Sequence, residues 1–286
     1  MFNGLRRTPV FNAAAETLTA KLLEQIGLPL KALGKDADLF FARCGWHDVT
    51  IRDLRGLRLS GRDNTLNDVI CDIYFELIRR RAVRMSDAAI SLPEPSKKIS
   101  LLVLTCVEGV MFLLKRHYKQ VMLNATSFVT SPRTAIGTFF SVDKVLIPIN
   151  NSKQNHWVLV VVNNLKKRFE FYNSWVGDPT EYEAMFTVIH DFMKKQIEVA
   201  CLPSDSQTEE HWSLKDCVWY RPLPVLGRAP VSGEEIPGQE NSVDCGVFMS
   251  TFGARLSLDS ELDFTQADIP MLRRMMLFEI ARGRLV

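Results

Sequence analysis

Apolar residues recur along this chain with two different periods, and the change from one to the other outlines its elements. Leu66, Val69, Ile70, Ile73, Tyr74, Leu77 and Ile78 fall on one stripe at helical spacing, which predicts an amphipathic helix. Arg79, Arg80 and Arg81 follow at once and are expected to close it, since cations suit a helix C-terminus. Ahead of this helix, Asp48 to Leu59 reads as a strand or a short helical entry, and Arg62 to Asn64 as a turn. Leu101 to Tyr118 is apolar at helical spacing and predicts a buried helix. The period then shortens. Val142–Ile149, Trp157–Val162 and Arg168–Tyr172 are β-rich runs separated by polar turns at Asn150–Asn155 and Asn163–Lys167. Three such runs in succession predict a central antiparallel or mixed sheet. Asp178-Pro179-Thr180-Glu181 is a helix start, and Tyr182, Met185, Ile189 and Met193 carry its apolar face toward Ile197. Asp216–Tyr220 reads as a further strand and Arg221–Glu235 as a long loop. The chain's last helix is expected over Ile269–Arg282. Near the N-terminus, Leu18, Leu22 and Ile26 share a helical face that Gly27 to Pro29 ends. Residues 1–45 are read as a helical extension and 46–286 as the main domain.

Composition narrows the class. Hydrophobic residues make up 47% of the 286 and charged ones 24%, which supports a sizeable core. A net charge of +2 does not advertise nucleic acid. The start of the chain has no apolar signal-peptide core, and the run Leu101 to Leu114 is too short for a membrane span and contains Glu108. The expectation is an intracellular protein, nuclear or cytoplasmic, acting as a monomer without nucleic acid or membrane. Six cysteines, at positions 44, 71, 106, 201, 217 and 245, lack paired or zinc-type spacing. Reduced thiols are therefore expected, with no metal and no cofactor.

One of these thiols has company. In Pro237–Met249, a polar loop ends at Asp244-Cys245-Gly246 and an apolar helical pattern begins. Cys245 is thus placed at a helix N-terminus, where free backbone N–H groups and the macrodipole favour a thiolate. His156 stands where a polar turn meets the strand Trp157–Val162, and Asn173 follows the next strand. In an adjacent hairpin these two residues share one end of the sheet. Asn173 is then able to orient the imidazole, and the Cys245 helix to dock against it. Gln239, just upstream, is placed to complete an oxyanion hole with the Cys245 backbone N–H. Each residue alone has an ordinary reading: a buried cysteine opening a core helix, an edge histidine, a turn asparagine, a solvated glutamine.

The same stretches resemble a known family, the ubiquitin-like-protein-specific cysteine proteases typified by the sentrin or SUMO proteases. GQENSVDCGVF is similar to the family's nucleophile motif, HWVLVVV to its His-Trp strand and FYNS to its Tyr-Asp-Ser strand end. FSVDKVLIPIN resembles the strand that leads to the histidine. TLNDVICDIYFELI resembles its Trp-Leu-Asn-Asp helix, and FTQADIPMLRRMMLFEIARGRL its C-terminal segment. These blocks run in order across residues 46–286. The resemblance implies a papain-like α+β fold, a central mixed sheet flanked by helices with the nucleophile at a helix N-terminus. It implies cleavage after the C-terminal Gly-Gly of a ubiquitin-like protein, SUMO foremost, with NEDD8 or ubiquitin as further partners. Cys245 becomes the nucleophile, His156 the base and Gln239 the oxyanion donor. Trp157 becomes a wall of the Gly-Gly channel and Asp68 a substrate contact. The chain departs from the pattern at Asn173, where the family has Asp, at Thr65, where it has Trp, and in the longer Arg221–Glu235 loop. Asn173 and Thr65 leave open a relative that binds a ubiquitin-like protein without cleaving it, and the shared catalytic layout leaves open an acyltransferase.

Overall fold

The computed structural model describes residues 17, 19–24, 40–44, 47–59, 64–89, 99–106, 109, 142–175, 180–199, 218–220 and 236–285. Residues 19–24 are helical, as the N-terminal pattern predicts, and Leu22 is buried in the main core. Strands β1 (Phe40–Cys44) and β2 (His47–Thr50) form an antiparallel pair. Thr50 then caps α1 (Ile51–Leu54) through a reciprocal capping box with Asp53, and a 3-10 turn follows over Arg55–Leu57. The stretch Asp48–Leu59 is therefore strand and helical entry in turn. Asn67 accepts from the Ile70 backbone N–H at 3.0 Å and donates to Asp53 at 2.8 Å, joining α1 to the start of α2 (Asp68–Ala89).

Helix α2 does not stop at the arginines. Arg79 and Arg80 pair with Glu76 at 2.6 and 2.8 Å, one turn back on the same helix, so they extend it instead of ending it. Leu101–Val103, expected as the opening of a buried helix, is instead strand β3. It pairs in parallel with β4 (Lys144–Asn151), and the Leu104 N–H continues the ladder to the Leu146 carbonyl at 3.0 Å. A short apolar run has no period of its own, so strand pairing decided its state. Cys106 and Gly109 beyond it are helical, and the rest of that predicted helix lies outside the described residues.

The expected strands follow as β5 (His156–Asn163) and β6 (Arg168–Tyr172), succeeded by α3 (Thr180–Val199) and β7 (Val218–Tyr220). The loop Arg221–Glu235 lies outside the described residues. The sheet has the order β3-β4-β5-β6-β7, with parallel pairs at its two edges and antiparallel pairs between, so it is mixed. Alternation along β5 sorts the core. Val158, Val160 and Val162 face α3 with Met185, Phe186 and Ile189. Trp157, Leu159 and Val161 face the other layer, built from α2, α4 (Cys245–Leu256) and α5 (Ile269–Arg282). Among the described residues no helix is long and apolar enough to cross a membrane.

Helix α4 is held at both ends. At its C-terminus, Lys144 donates to the Leu256 carbonyl and the Asp259 carboxylate, both at 2.9 Å. Arg81 donates to the Ala254 carbonyl at 2.6 Å and to the Ser257 hydroxyl at 2.7 Å. These cations meet the negative end of the dipole. At its N-terminus, the Asp244 carboxylate accepts from Arg273 of α5 at 2.5 Å, from Asn241 at 2.6 Å and from Gln266 at 2.7 Å. Arg273 is only 1% exposed and also donates to the Gly56 carbonyl. Burial would raise the Asp244 carboxyl, but its bonds to Arg273, Asn241 and Gln266 outweigh that and hold it below the usual carboxylate range.

Removing one member of a buried pair strands the other charge, at a cost of about 3–5 kcal/mol. Arg273→Ala is expected to lose stability on that scale in urea unfolding at neutral pH. A loss under about 1 kcal/mol, the size found for exposed pairs, contradicts this assignment.

Candidate active site

His156 is the first residue of β5, and Asn173 is the first residue past β6. The β5–β6 ladder ends at Leu159 and Tyr172, so both side chains leave the sheet at the same end. The His156 Nε2 lies 2.7 Å from Asn173 Oδ1. That oxygen also accepts the Trp175 backbone N–H at 2.9 Å. An N–H donor on one side fixes the amide with its oxygen inward, so the imidazole must donate from Nε2. Its Nδ1 is then the unprotonated nitrogen, able to accept a proton. His156 is 5% exposed, and burial holds it below the ordinary histidine value, with the Asn173 bond opposing.

Cys245 is the first residue of α4, after Asp244 at the cap position. The Asp244 carbonyl accepts the N–H groups of Val247 and Phe248, which leaves those of Cys245 and Gly246 outside the helical ladder. Both lie at the Cys245 sulfur, and so does the backbone N–H of Trp157, the residue next to His156. The thiol is thereby set against the start of β5. The helix start alone predicts a lowered thiol pKa, and here that expectation is corrected. Cys245 is 1% exposed, and burial pushes the thiol up to about 11 against the three N–H groups. Near neutral pH the pair rests as thiol and neutral imidazole.

Glycine at position 246 is required by close approach. A Cβ there would lie 2.8 Å from the Leu66 Cβ. The carbonyl of Leu66 also accepts the Trp157 indole N–H at 3.0 Å. Leu66 is thus where the helix start, the strand start and the entry to α2 meet.

Gln239 joins the same cluster through Ser174. Its backbone N–H donates to the Ser174 carbonyl at 2.9 Å, and its side-chain oxygen accepts the Ser174 hydroxyl at 2.7 Å. The amide nitrogen donates to the Asn241 carbonyl, which uses one of its two hydrogens. Cys245, His156, Asn173 and Gln239 are therefore gathered at one end of the sheet. Trp157 is 2% exposed and its ring belongs to the main core. Asp68 is exposed in the first turn of α2. Sequence reading missed Ser174, Trp175 and Arg273. Arg273 carried a signal: it stands four residues after Ile269 and four before Leu277, on the face that α5 buries.

A family model described as the Ulp1 protease family, C-terminal catalytic domain, matches residues 110–285. The chain belongs to this family. Curated relatives include a sentrin-specific protease of Caenorhabditis elegans, 26% identical over 51% of this chain and 18% of its own length. Mouse sentrin-specific protease 2 is 29% identical over 51% of this chain and 21% of its own. A putative ubiquitin-like-specific protease 1B of Arabidopsis thaliana is 26% identical over 77% and 54%. The chain thus spans about a fifth of the length of the first two. Among solved structures, the SUMO protease Ulp1 with its catalytic cysteine oxidized to a sulfenic acid has a TM-score of 0.62 at 18% identity, over 95% of both chains. The Ulp1 protease domain in complex with Smt3 has a TM-score of 0.59 at 19% identity, over 92% of this chain and 95% of that one. These likenesses establish the α+β fold that the family shares.

The protonation states predict a pH profile. A base must be neutral to act, so kcat/KM is expected to rise with pH through an apparent pKa below 6.5. Alkylation of Cys245 by iodoacetamide is expected to keep rising toward pH 11. A flat alkylation rate from pH 5 upward means that a thiolate is already formed. Separately, Gly246→Ala has to push α4 away from Leu66. A drop of tenfold or more in turnover is expected, about 1.4 kcal/mol, with most of the helical circular dichroism retained. Unchanged turnover contradicts the close-approach argument.

Proposed function

We propose that this chain is a thiol protease that cleaves after the C-terminal Gly-Gly of a ubiquitin-like protein, SUMO first, as isopeptidase, precursor processor or both. The observation that carries this reading is the His156–Asn173 bond at the strand end where the Cys245 thiol meets the Trp157 N–H, within a match to a protease family. The fold-sharing Ulp1 domain complexed with Smt3 supports the choice of SUMO. NEDD8 and ubiquitin are further substrates to test.

In this mechanism Cys245 Sγ bonds to the glycine carbonyl carbon as its proton passes to His156 Nδ1. The tetrahedral oxyanion is met by the Cys245 backbone N–H and by the free hydrogen of the Gln239 amide. His156 returns the proton to the leaving amine as the C–N bond breaks, giving a thioester. Water, deprotonated by the same imidazole, then bonds to the thioester carbon. The C–S bond breaks, His156 returns the proton to the Cys245 sulfur, and the substrate leaves as a carboxylate. Asn173 holds the ring throughout. Trp157 backs the channel for the glycines, and Asp68 meets the substrate's body. Residues 46–286 form the catalytic unit and 1–45 an extension to it, in an intracellular monomer that needs no cofactor.

A neutral amide in place of a carboxylate favours the second reading, a binder that does not cleave. A panel of ubiquitin-like proteins carrying a C-terminal electrophile separates the two. Cys245 is expected to form a covalent adduct with at least one of them, and Cys245→Ala to lose both adduct and turnover. Absence of any adduct across the panel ends the protease reading.

A further inference from the structure

Trp175 is a large apolar side chain left 46% exposed, two residues beyond the group that orients the imidazole. Its ring meets the His156 ring edge to face, with centroids 5.8 Å apart and planes at 88°. That is a favourable aromatic geometry. Its backbone N–H donates at 2.9 Å to Asn173 Oδ1, the same oxygen that takes the His156 N–H. One short segment therefore supplies the acceptor, the donor that fixes the acceptor's orientation, and an aromatic ring against the imidazole. His156 and Asn173 are both buried although they stand at the end of the sheet.

The neutral amide explains why such a ring matters. A hydrogen bond between neutral groups contributes little net, because water competes for both partners, whereas one to a charged acceptor is roughly twice as strong. Excluding water strengthens the neutral bond by lowering the local dielectric. A carboxylate tolerates a wet site better than an amide does. Resting on the protease reading of this site, we propose that Trp175 is a positioning residue that covers the His156–Asn173 bond and makes a neutral amide sufficient to aim the imidazole. Among the described residues, the groups that act on His156 are the Asn173 amide and the Trp175 ring, and no charged side chain acts on it.

The test compares wild type, W175A, W175F, N173D and N173D/W175A. The substrate is a ubiquitin-like protein carrying a C-terminal fluorophore, chosen by the electrophile panel. W175A is expected to lower kcat about tenfold with little change in KM, and to move the acid limb of the pH profile up toward 6.5. W175F is expected to recover most of the rate. In the N173D background, removing the indole is expected to cost threefold or less. A second measurement needs no substrate: the His156 ring N–H proton, followed by NMR, is expected to exchange with water faster in W175A and near the wild-type rate in W175F. Equal losses in the two backgrounds, or ring N–H exchange no faster without the indole, overturn the proposal. Failure of wild type to react with any substrate instead counts against the protease reading, and the exchange measurement still decides the role of Trp175.

Discussion

The geometry of this site rests on the bond between Arg273 and Asp244. Asp244 is the residue immediately before the nucleophile candidate, and its carboxylate has a partner on every side: Arg273 on one oxygen, Asn241 and Gln266 on the other. Through the same guanidinium the last helix reaches the Gly56 carbonyl. The thiol loop, the turn after α1 and α5 are therefore tied at one buried point. Each of these bonds is internal to the protein. Together they set the angle at which α4 leaves the loop, and so where the sulfur lies relative to β5.

Two opposing tendencies act on that sulfur. A helix start with free N–H groups stabilises negative charge, and burial penalises it. At Cys245 burial dominates, and the same holds at His156, where burial favours the neutral ring. Both groups therefore wait uncharged in a nearly closed site. In the proposed reaction, the separation of charge is deferred until a carbonyl is present to share it. A neutral orienting amide fits this economy of charge better than a carboxylate would, because it asks for no counter-charge in the resting state.

Much of this was legible in the residues. The hairpin β5–β6 is read from period-2 runs and polar turns, and it alone brings His156 to Asn173. The loop-to-helix change at Asp244-Cys245-Gly246 locates the thiol. The boundary of α5 falls where its pattern ends. What escaped was decided by partners distant in sequence. Arg79 to Arg81 look like a helix end, but Glu76 one turn back and α4 across the core carry the helix on. Leu101–Val103 is a strand only because Leu146 lies beside it. The raised pKa of Cys245 depends on how completely the surrounding layers close, which no local pattern encodes. Trp175 reads as an ordinary aromatic until the orientation of a neighbouring amide is known.

The order of these residues along the chain has a consequence for biosynthesis. Cys245, His156 and Asn173 all leave the ribosome before Arg273 does. A nascent chain that ends short of that arginine holds the reactive groups without the anchor that aims them, and Asp244 is left as an unpaired charge facing a core it disfavours. Assembly of the Cys245 loop against the sheet thus waits for α5, the helix that carries Arg273.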